Sequence, residues 1–133
     1  MKPAIRYLSF VAGLGVLLVA TGCNTVSINS TQYVGVRQFP PTNPADIEIM
    51  RAEPKRPNIR LGEVRAEPSS DSVSVQKIEQ ALQNAAAKMG GDAVVIVHDG
   101  TQVTGAIVTG PWFGRSVQTI QGRVVVGVAI KYE

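Results

Sequence analysis

The sequence predicts an α+β fold, a two-layer sandwich in which one main helix packs on a mainly antiparallel sheet. Three observations predict it. Apolar residues recur at helical spacing between residues 75 and 89. Two short segments before this helix alternate polar and apolar residues, and the segment after it is rich in valine, isoleucine and glycine. The predicted order of elements is β-β-α-β-β-β.

The first two predicted strands lie on either side of a proline-containing connection. Asp46 to Met50 alternates polar and apolar residues, as a half-buried strand does. Residues 51–58 include two prolines and are predicted to connect the strands. Ile59 to Ala66 alternates again, and Gly62 within it indicates a bulge or a point of close approach. We expect the apolar positions of both strands to lie in the core.

The helix is predicted to begin near Asp71 or Ser72, which are suitable N-cap residues. It should end at Gly90-Gly91, because glycine readily adopts the left-handed conformation that follows many helices. Gln83 lies on the polar face, away from the sheet. The residues that should face the sheet are Val75, Ile78, Leu82 and Met89.

The rest of the chain is predicted to alternate between strands and turns. Residues 93–97 form a continuous apolar run, which is typical of a central strand. Glycine-containing segments then interrupt the β-prone sequence. The predicted succession is a turn at 98–100, a β-prone segment at 102–109 that Gly105 interrupts, a loop at 110–114, a short strand at 116–120, a turn at 121–122 and a closing strand at 123–132.

The first 22 residues have the three parts of a secretory signal. Lys2 and Arg6 precede an apolar stretch of about 14 residues, and small residues follow it. This stretch is shorter than the roughly 20 residues that a transmembrane helix needs. Cys23, the only cysteine, comes next. The sequence therefore predicts a signal peptide over residues 1–22, a polar tether over 23–43 and an α+β periplasmic domain over 44–133.

Ala20-Thr21-Gly22-Cys23 resembles the lipobox of bacterial lipoproteins. The resemblance implies diacylglycerol on the Cys23 thiol, cleavage before it, and acylation of the new amino terminus, as with palmitate. Asn24 follows, in place of the aspartate that resembles an inner-membrane retention signal. We therefore expect an outer-membrane lipoprotein that faces the periplasm, with the inner membrane as the alternative. An uncleaved anchor helix and a secreted protein with a free thiol are the other interpretations.

Loss of the signal peptide leaves the charges nearly balanced. The chain has 13 basic and 10 acidic residues, and removal of Lys2 and Arg6 leaves 11 basic ones. A near-neutral chain with mixed charges gives no reason to expect nucleic acid as a partner. A single cysteine forms no intramolecular disulfide. Stability is therefore expected to come from an ordinary apolar core or from self-association.

Three segments of the predicted domain resemble small bacterial envelope lipoproteins of largely unknown function. They are Leu61-Gly62-Glu63-Val64, the helix and strand from Ala81 to Val95, and Val126 to Ile130. A similar arrangement occurs in the Rcs-type stress sensor lipoprotein and in YbjQ-like domains, and the likeness covers about residues 46 to 133. The resemblance implies a shared fold. The paired cysteines of the stress sensor and the ligand residues of YbjQ-like domains have no counterparts here, so neither chemistry carries over.

His98 is the only histidine, and it precedes Asp99. Together with Asp99 or Asp92 it could begin a metal site, a small-ligand site or a hydrolytic site. Zinc sites need three or four converging ligands, however, and no phosphate-binding loop motif occurs. A histidine in a solvated turn is the simpler interpretation. We therefore predict a protein without catalytic residues, metal or cofactor, and not an enzyme, with the His98 site as the alternative.

Trp112 and Phe113 are the candidate partner-binding residues, since two large aromatic side chains in a loop can dock on another molecule. The alternative is that they fold back and cover the open face of the sheet. The apolar strands 93–97 and 124–130 can also expose edges for self-association. The sequence thus predicts a lipid-anchored envelope module with a binding, sensing or structural role, in envelope stress or outer-membrane maintenance. Its candidate partners are an envelope protein or a second copy.

Overall fold

The protein is an α+β fold in the computed structural model, which describes residues 24–133. The strands are β1 (Val26–Gln32), β2 (Glu48–Met50), β3 (Asn58–Pro68), β4 (Ala93–Thr109) and β5 (Ser116–Tyr132), and the helix is α1 (Val75–Lys88). The strands form one sheet in the order β1-β3-β5-β4-β2. All neighbouring strands are antiparallel except β2, which runs parallel to β4. The predicted fold class is confirmed.

The core lies between α1 and one face of the sheet, which we call the helix face. The helix contributes Ile78, Leu82, Ala85, Ala86 and Ala87, and the sheet contributes Leu61, Val64, Ala66, Val94, Val125 and Ala129. The alanines let the helix backbone approach the sheet closely, and the branched side chains of the strands fill the space between. The other face of the sheet, which we call the second face, carries Val95, Val126 and Val128.

The N-terminal segment differs from the prediction of a tether over residues 23–43. Within the described part of this segment, β1 pairs with β3 along its whole length, from Val26 opposite Pro68 to Gln32 opposite Gly62. Its sequence is polar because it is an edge strand, and only Val26 is partly buried. The domain therefore begins with β1 rather than at residue 44, and three strands precede the helix instead of two.

The helix begins and faces the sheet slightly differently from the prediction. Ser74 is its N-cap, where Asp71 or Ser72 was expected, and the Ser74 hydroxyl accepts a hydrogen bond from the Lys77 N–H. The face is otherwise as predicted, because Ile78 and Leu82 are buried. Val75 is the exception at 43% exposure.

Gln83 does not lie free on the polar face as predicted. Its side-chain Nε2 donates a hydrogen bond of 2.8 Å to the carbonyl oxygen of Ile47. This bond connects the helix to the residue before β2.

Two glycines have the roles that the sequence predicts. Gly90 ends the helix region with a φ of +80°, and the Phe39–Pro40 segment covers it so closely that a Cβ would lie 2.6 Å from the Phe39 Cβ. Gly62 follows a register shift in β3, and a Cβ there would lie 2.4 Å from the carbonyl oxygen of Thr31 in β1. Both positions are places where another chain segment touches the backbone.

β4 and β5 are much longer than predicted. The turns expected at residues 98–100 and 121–122 do not occur, since both segments are paired strand. The glycines at these positions are accommodated within the ladder, and register shifts near His98 and near Thr104 replace the predicted breaks. The chain reverses instead in the loop between Thr109 and Ser116. Two strands therefore follow the helix, where three were predicted.

Candidate functional site

The distal halves of β4 and β5 extend beyond the rest of the sheet. β2 pairs only with residues 93–95 of β4, and the pairing of β3 with β5 reaches only to Val125. Further out, in the described part of the chain, the two strands pair only with each other, as far as Thr109 opposite Ser116. We call this hairpin, residues 100–123, the arm. At about 3.3 Å per residue, the ten residues of its β4 side span roughly 30 Å.

The arm exposes large apolar side chains on both faces. They are Val103, Ile107, Val108, Val117 and Ile120. Val108 and Val117 are directly opposite each other, so they form a cross-strand pair on one face. Between Gly100 and Gly122 the only charged residue is Arg115. So many exposed apolar side chains with so little charge among them are unusual on a soluble surface and are typical of contact surfaces.

Trp112 and Phe113 lie at the tip of the arm. Their side chains are 83% and 76% exposed, and their rings touch edge to face with centroids 5.6 Å apart. The tip turns tightly, because the Gly114 N–H donates to the Pro111 carbonyl oxygen at 3.0 Å. The alternative that these aromatics cover the open face of the sheet is wrong, since the arm holds them away from it.

A charged cluster on the helix face fixes the base of the arm. Arg123 of β5 donates two hydrogen bonds to Asp99 of β4, from Nε to Oδ1 and from Nη2 to Oδ2, each 2.9 Å. Arg51 lies 3.7 Å from the same carboxylate and 3.2 Å from Glu79 of the helix. The hydrogen bonds from Arg123 hold the pKa of Asp99 below its usual value, and they raise the pKa of Arg123.

His98 and the nearby acids do not converge. Asp99 stands opposite Val125 of the helix-face core, so its neighbour His98 points to the second face. His98 contacts the side chain of Gln102 at 3.1 Å. Asp92 lies at the other end of the strand, where it binds Lys131 and the backbone N–H of Tyr132, each at 3.0 Å. The structure therefore does not bring together the three residues of the alternative site.

The described residues were also examined for metal sites and for membrane-spanning helices. Among residues 24–133, no group of three or more histidine, cysteine, aspartate or glutamate side chains is placed to hold a metal ion. No helix in this range is long and apolar enough to cross a membrane. Cys23, the predicted lipidation site, lies outside the described residues.

A shallow cleft of about 290 Å³ lies on the second face, where the connection between β2 and β3 crosses the sheet. Val95, Val128 and Ile130 form its floor, and Arg60 and Glu53 pair at 2.7 Å on its wall. Sequence reasoning did not predict this cleft. The two prolines of the connection indicated a loop, but nothing in the local sequence indicated which face it crosses.

The comparisons with known proteins support the fold. No family profile matches the chain, and no protein of curated function matches it. The chain is similar in structure to FvfA, a Francisella virulence factor, with a TM-score of 0.50 and 12% identity over 79% of this chain and 97% of that one. At this identity the similarity shows a common fold alone.

Proposed function

We propose that this protein is a lipid-anchored envelope protein that faces the periplasm, and that its domain is a binding module which uses the arm as its contact surface. The exposed arm is the observation that carries the proposal. An apolar, nearly uncharged hairpin with two aromatics at its tip is costly to leave in water, and contact with another molecule covers it. The anchor and the outer-membrane location rest on the signal-like N-terminus and on Asn24 after Cys23.

The arm favours a binding role over a catalytic one. Binding needs a shaped surface, and the tip offers aromatic side chains of the kind that dominate contact energies. Hydrolysis or metal binding through His98 needs convergent polar partners. The acids closest to His98 in sequence are engaged elsewhere, with Arg123 and with Lys131. A binding role is therefore the function that the geometry supports best, and its assignment to the envelope, in sensing or in structure, comes from the N-terminal sequence.

Fractionation and site-specific crosslinking test the two parts of this proposal. Cys23→Ser should yield a soluble or an unprocessed form, and retention of a form without residues 1–22 in the membrane fraction after alkaline washing would contradict the lipid anchor. A photo-crosslinking residue at Phe113 should capture an envelope component in living cells. The matched control is the same residue at Val34, which is fully exposed at the opposite end of the sheet. Equal capture from both positions would contradict a binding role for the arm.

A further inference from the structure

The N-terminus of the domain lies at the base of the arm. Val26, the first residue of β1, is opposite Pro68 of β3. Two residues earlier in β3, Ala66 is opposite Val125 of β5. Continuing this antiparallel register by two residues brings Pro68 level with Arg123, where the arm begins. The chain therefore enters the domain at the end of the sheet from which the arm projects.

The residues before β1 are held against this end of the domain. The Thr25 N–H donates to the Ser69 hydroxyl at 3.1 Å, and the Ser69 N–H donates to the Thr25 carbonyl oxygen at 2.8 Å. The Lys77 ammonium donates to the carbonyl oxygen of Asn24. Residues 69–71 also line a groove whose other wall is Thr104 and Ile120 of the arm. Asn24 is thus fixed beside the arm.

Because Asn24 is held against the domain, the segment between the domain and a lipid on Cys23 is very short. Cys23 directly precedes Asn24 in the sequence, and consecutive Cα atoms are about 3.8 Å apart, so a lipid on Cys23 would be attached one residue from the fixed Asn24. A domain anchored in this way stands close to the bilayer, with its arm end toward the lipid. The arm is roughly 30 Å long, which is comparable to the thickness of the hydrocarbon core. An arm of that length, which begins beside the anchor, can lie along the membrane surface and bring its tip to the interface.

The chemistry of the arm suits the boundary between headgroups and acyl chains. Tryptophan prefers this depth because its ring is apolar and its N–H is polar. Arg115 follows Phe113 by two residues, and a guanidinium near the tip can pair with lipid phosphates. The unpaired outer edges of the two strands cannot enter hydrocarbon without loss of backbone hydrogen bonds, so the strands stay in the headgroup region and only the tip goes deeper.

We propose that the occupant of the arm surface is the bilayer that holds the Cys23 lipid, with Trp112 and Phe113 inserted at its interface. This inference rests on the proposed lipid anchor. It gives the protein two membrane contacts, an acyl anchor and an aromatic tip, which together fix the orientation of the domain. The cleft on the second face then stays exposed to the periplasm.

Fluorescence of Trp112 tests the proposal directly, because it is the only tryptophan of the chain. The lipidated full-length product is purified in detergent and reconstituted into vesicles of phosphatidylethanolamine and phosphatidylglycerol. We expect a blue-shifted emission that brominated acyl chains quench and that aqueous iodide does not. The matched control is Trp112→Phe with Val34→Trp, which moves the reporter to the opposite end of the sheet. Its emission should remain that of an indole in water.

The possible results distinguish a failure of the membrane contact from a failure of the proposed lipid anchor. If the purified protein carries no lipid by mass spectrometry, both the anchor and the membrane contact are wrong. If it is lipidated and sediments with vesicles, but Trp112 remains open to iodide, only the membrane contact is wrong. A blue shift of the non-lipidated Cys23→Ser variant in detergent-free buffer, growing with protein concentration, would assign the arm to a second copy instead.

Discussion

β4 and β5 each pass through two different environments. In the body of the domain, Val94 of β4 is completely buried under α1. In the arm, Val103 and Val108 of the same strand are more than half exposed. The residue types and the strand conformation are the same, so neither determines burial. The difference is the cover that the helix and the neighbouring strands provide, and it ends where β2 and β3 end.

The buried apolar residues of the body stabilise the fold, whereas the exposed ones of the arm do not. Burial of a large aliphatic side chain contributes about 1.5–3 kcal/mol, and an exposed one contributes little. The valines and isoleucines of the arm therefore add little to the free energy of unfolding of the isolated domain. In the proposed binding role, these side chains contribute instead to the free energy of binding of the molecule that covers the arm.

Removal of a large side chain from each region gives the largest expected contrast. Leu82→Ala deletes a fully buried side chain from the helix face and should lower the free energy of unfolding by about 2–5 kcal/mol. Val108→Ala in the arm should cost less than about 1 kcal/mol, mainly through lower β propensity. Thermal or urea denaturation of both variants measures the difference. Equal losses would show that the arm packs on the body in solution.

Addition of a methyl group to a glycine in each region gives a smaller contrast. Gly62→Ala forces a Cβ to 2.4 Å from the Thr31 carbonyl oxygen and should cost about 1–3 kcal/mol through displacement of β1. Gly105→Ala is the control in the arm, because its Cβ would meet only the Ile120 side chain at an ordinary 3.7 Å. Its effect should stay within about 0.5 kcal/mol. A neutral Gly62→Ala would mean that β1 is not tightly docked on β3.

Loss of the ion pair between Asp99 and Arg123, at the junction of the two regions, should have the smallest effect on stability. The dependence of this effect on pH identifies it. The pKa of Asp99 is lowered by Arg123, so the pair stabilises the protein above the ordinary aspartate value of 3.8, and this contribution is lost as the pH falls below it. Asp99→Asn should therefore lower the melting temperature at pH 7 and have less effect below pH 3.8. The expected loss at pH 7 is no more than about 1 kcal/mol, since the pair is partly exposed. A difference that is constant with pH would assign the effect to packing.

Local patterns predicted the helix well and the sheet less well. The helical face, the stop at Gly90 and the close approach at Gly62 follow from spacing and from glycine chemistry, so they were predicted. β1 was not, because its seven residues are almost all exposed and carry no apolar period. Its strand conformation comes from pairing with β3, some 30 to 40 residues later in the chain.

The sequence points to Trp112 and Phe113 as the candidate site, but it does not predict the arm that carries them. Two aromatic residues in a glycine-rich loop indicate a candidate contact site, but their solvent exposure does not follow from the sequence, because a loop folds back or projects according to what surrounds it. The arm itself was divided into separate strands, since Gly100 and Gly122 usually indicate turns. Here the ladder continues through both residues.

The outer edges of the arm affect how readily the protein aggregates. In the described part of the chain, both edges present backbone donors and acceptors without a neighbouring strand, and residues 103–109 are β-prone and uncharged. Such segments template the addition of further strands and start amyloid-like aggregates. We therefore expect the domain without a lipid to aggregate at high concentration. Under the proposal of an acylated Cys23, the lipid would determine colloidal stability as well as location, because it would place these edges among lipid headgroups before copies can meet.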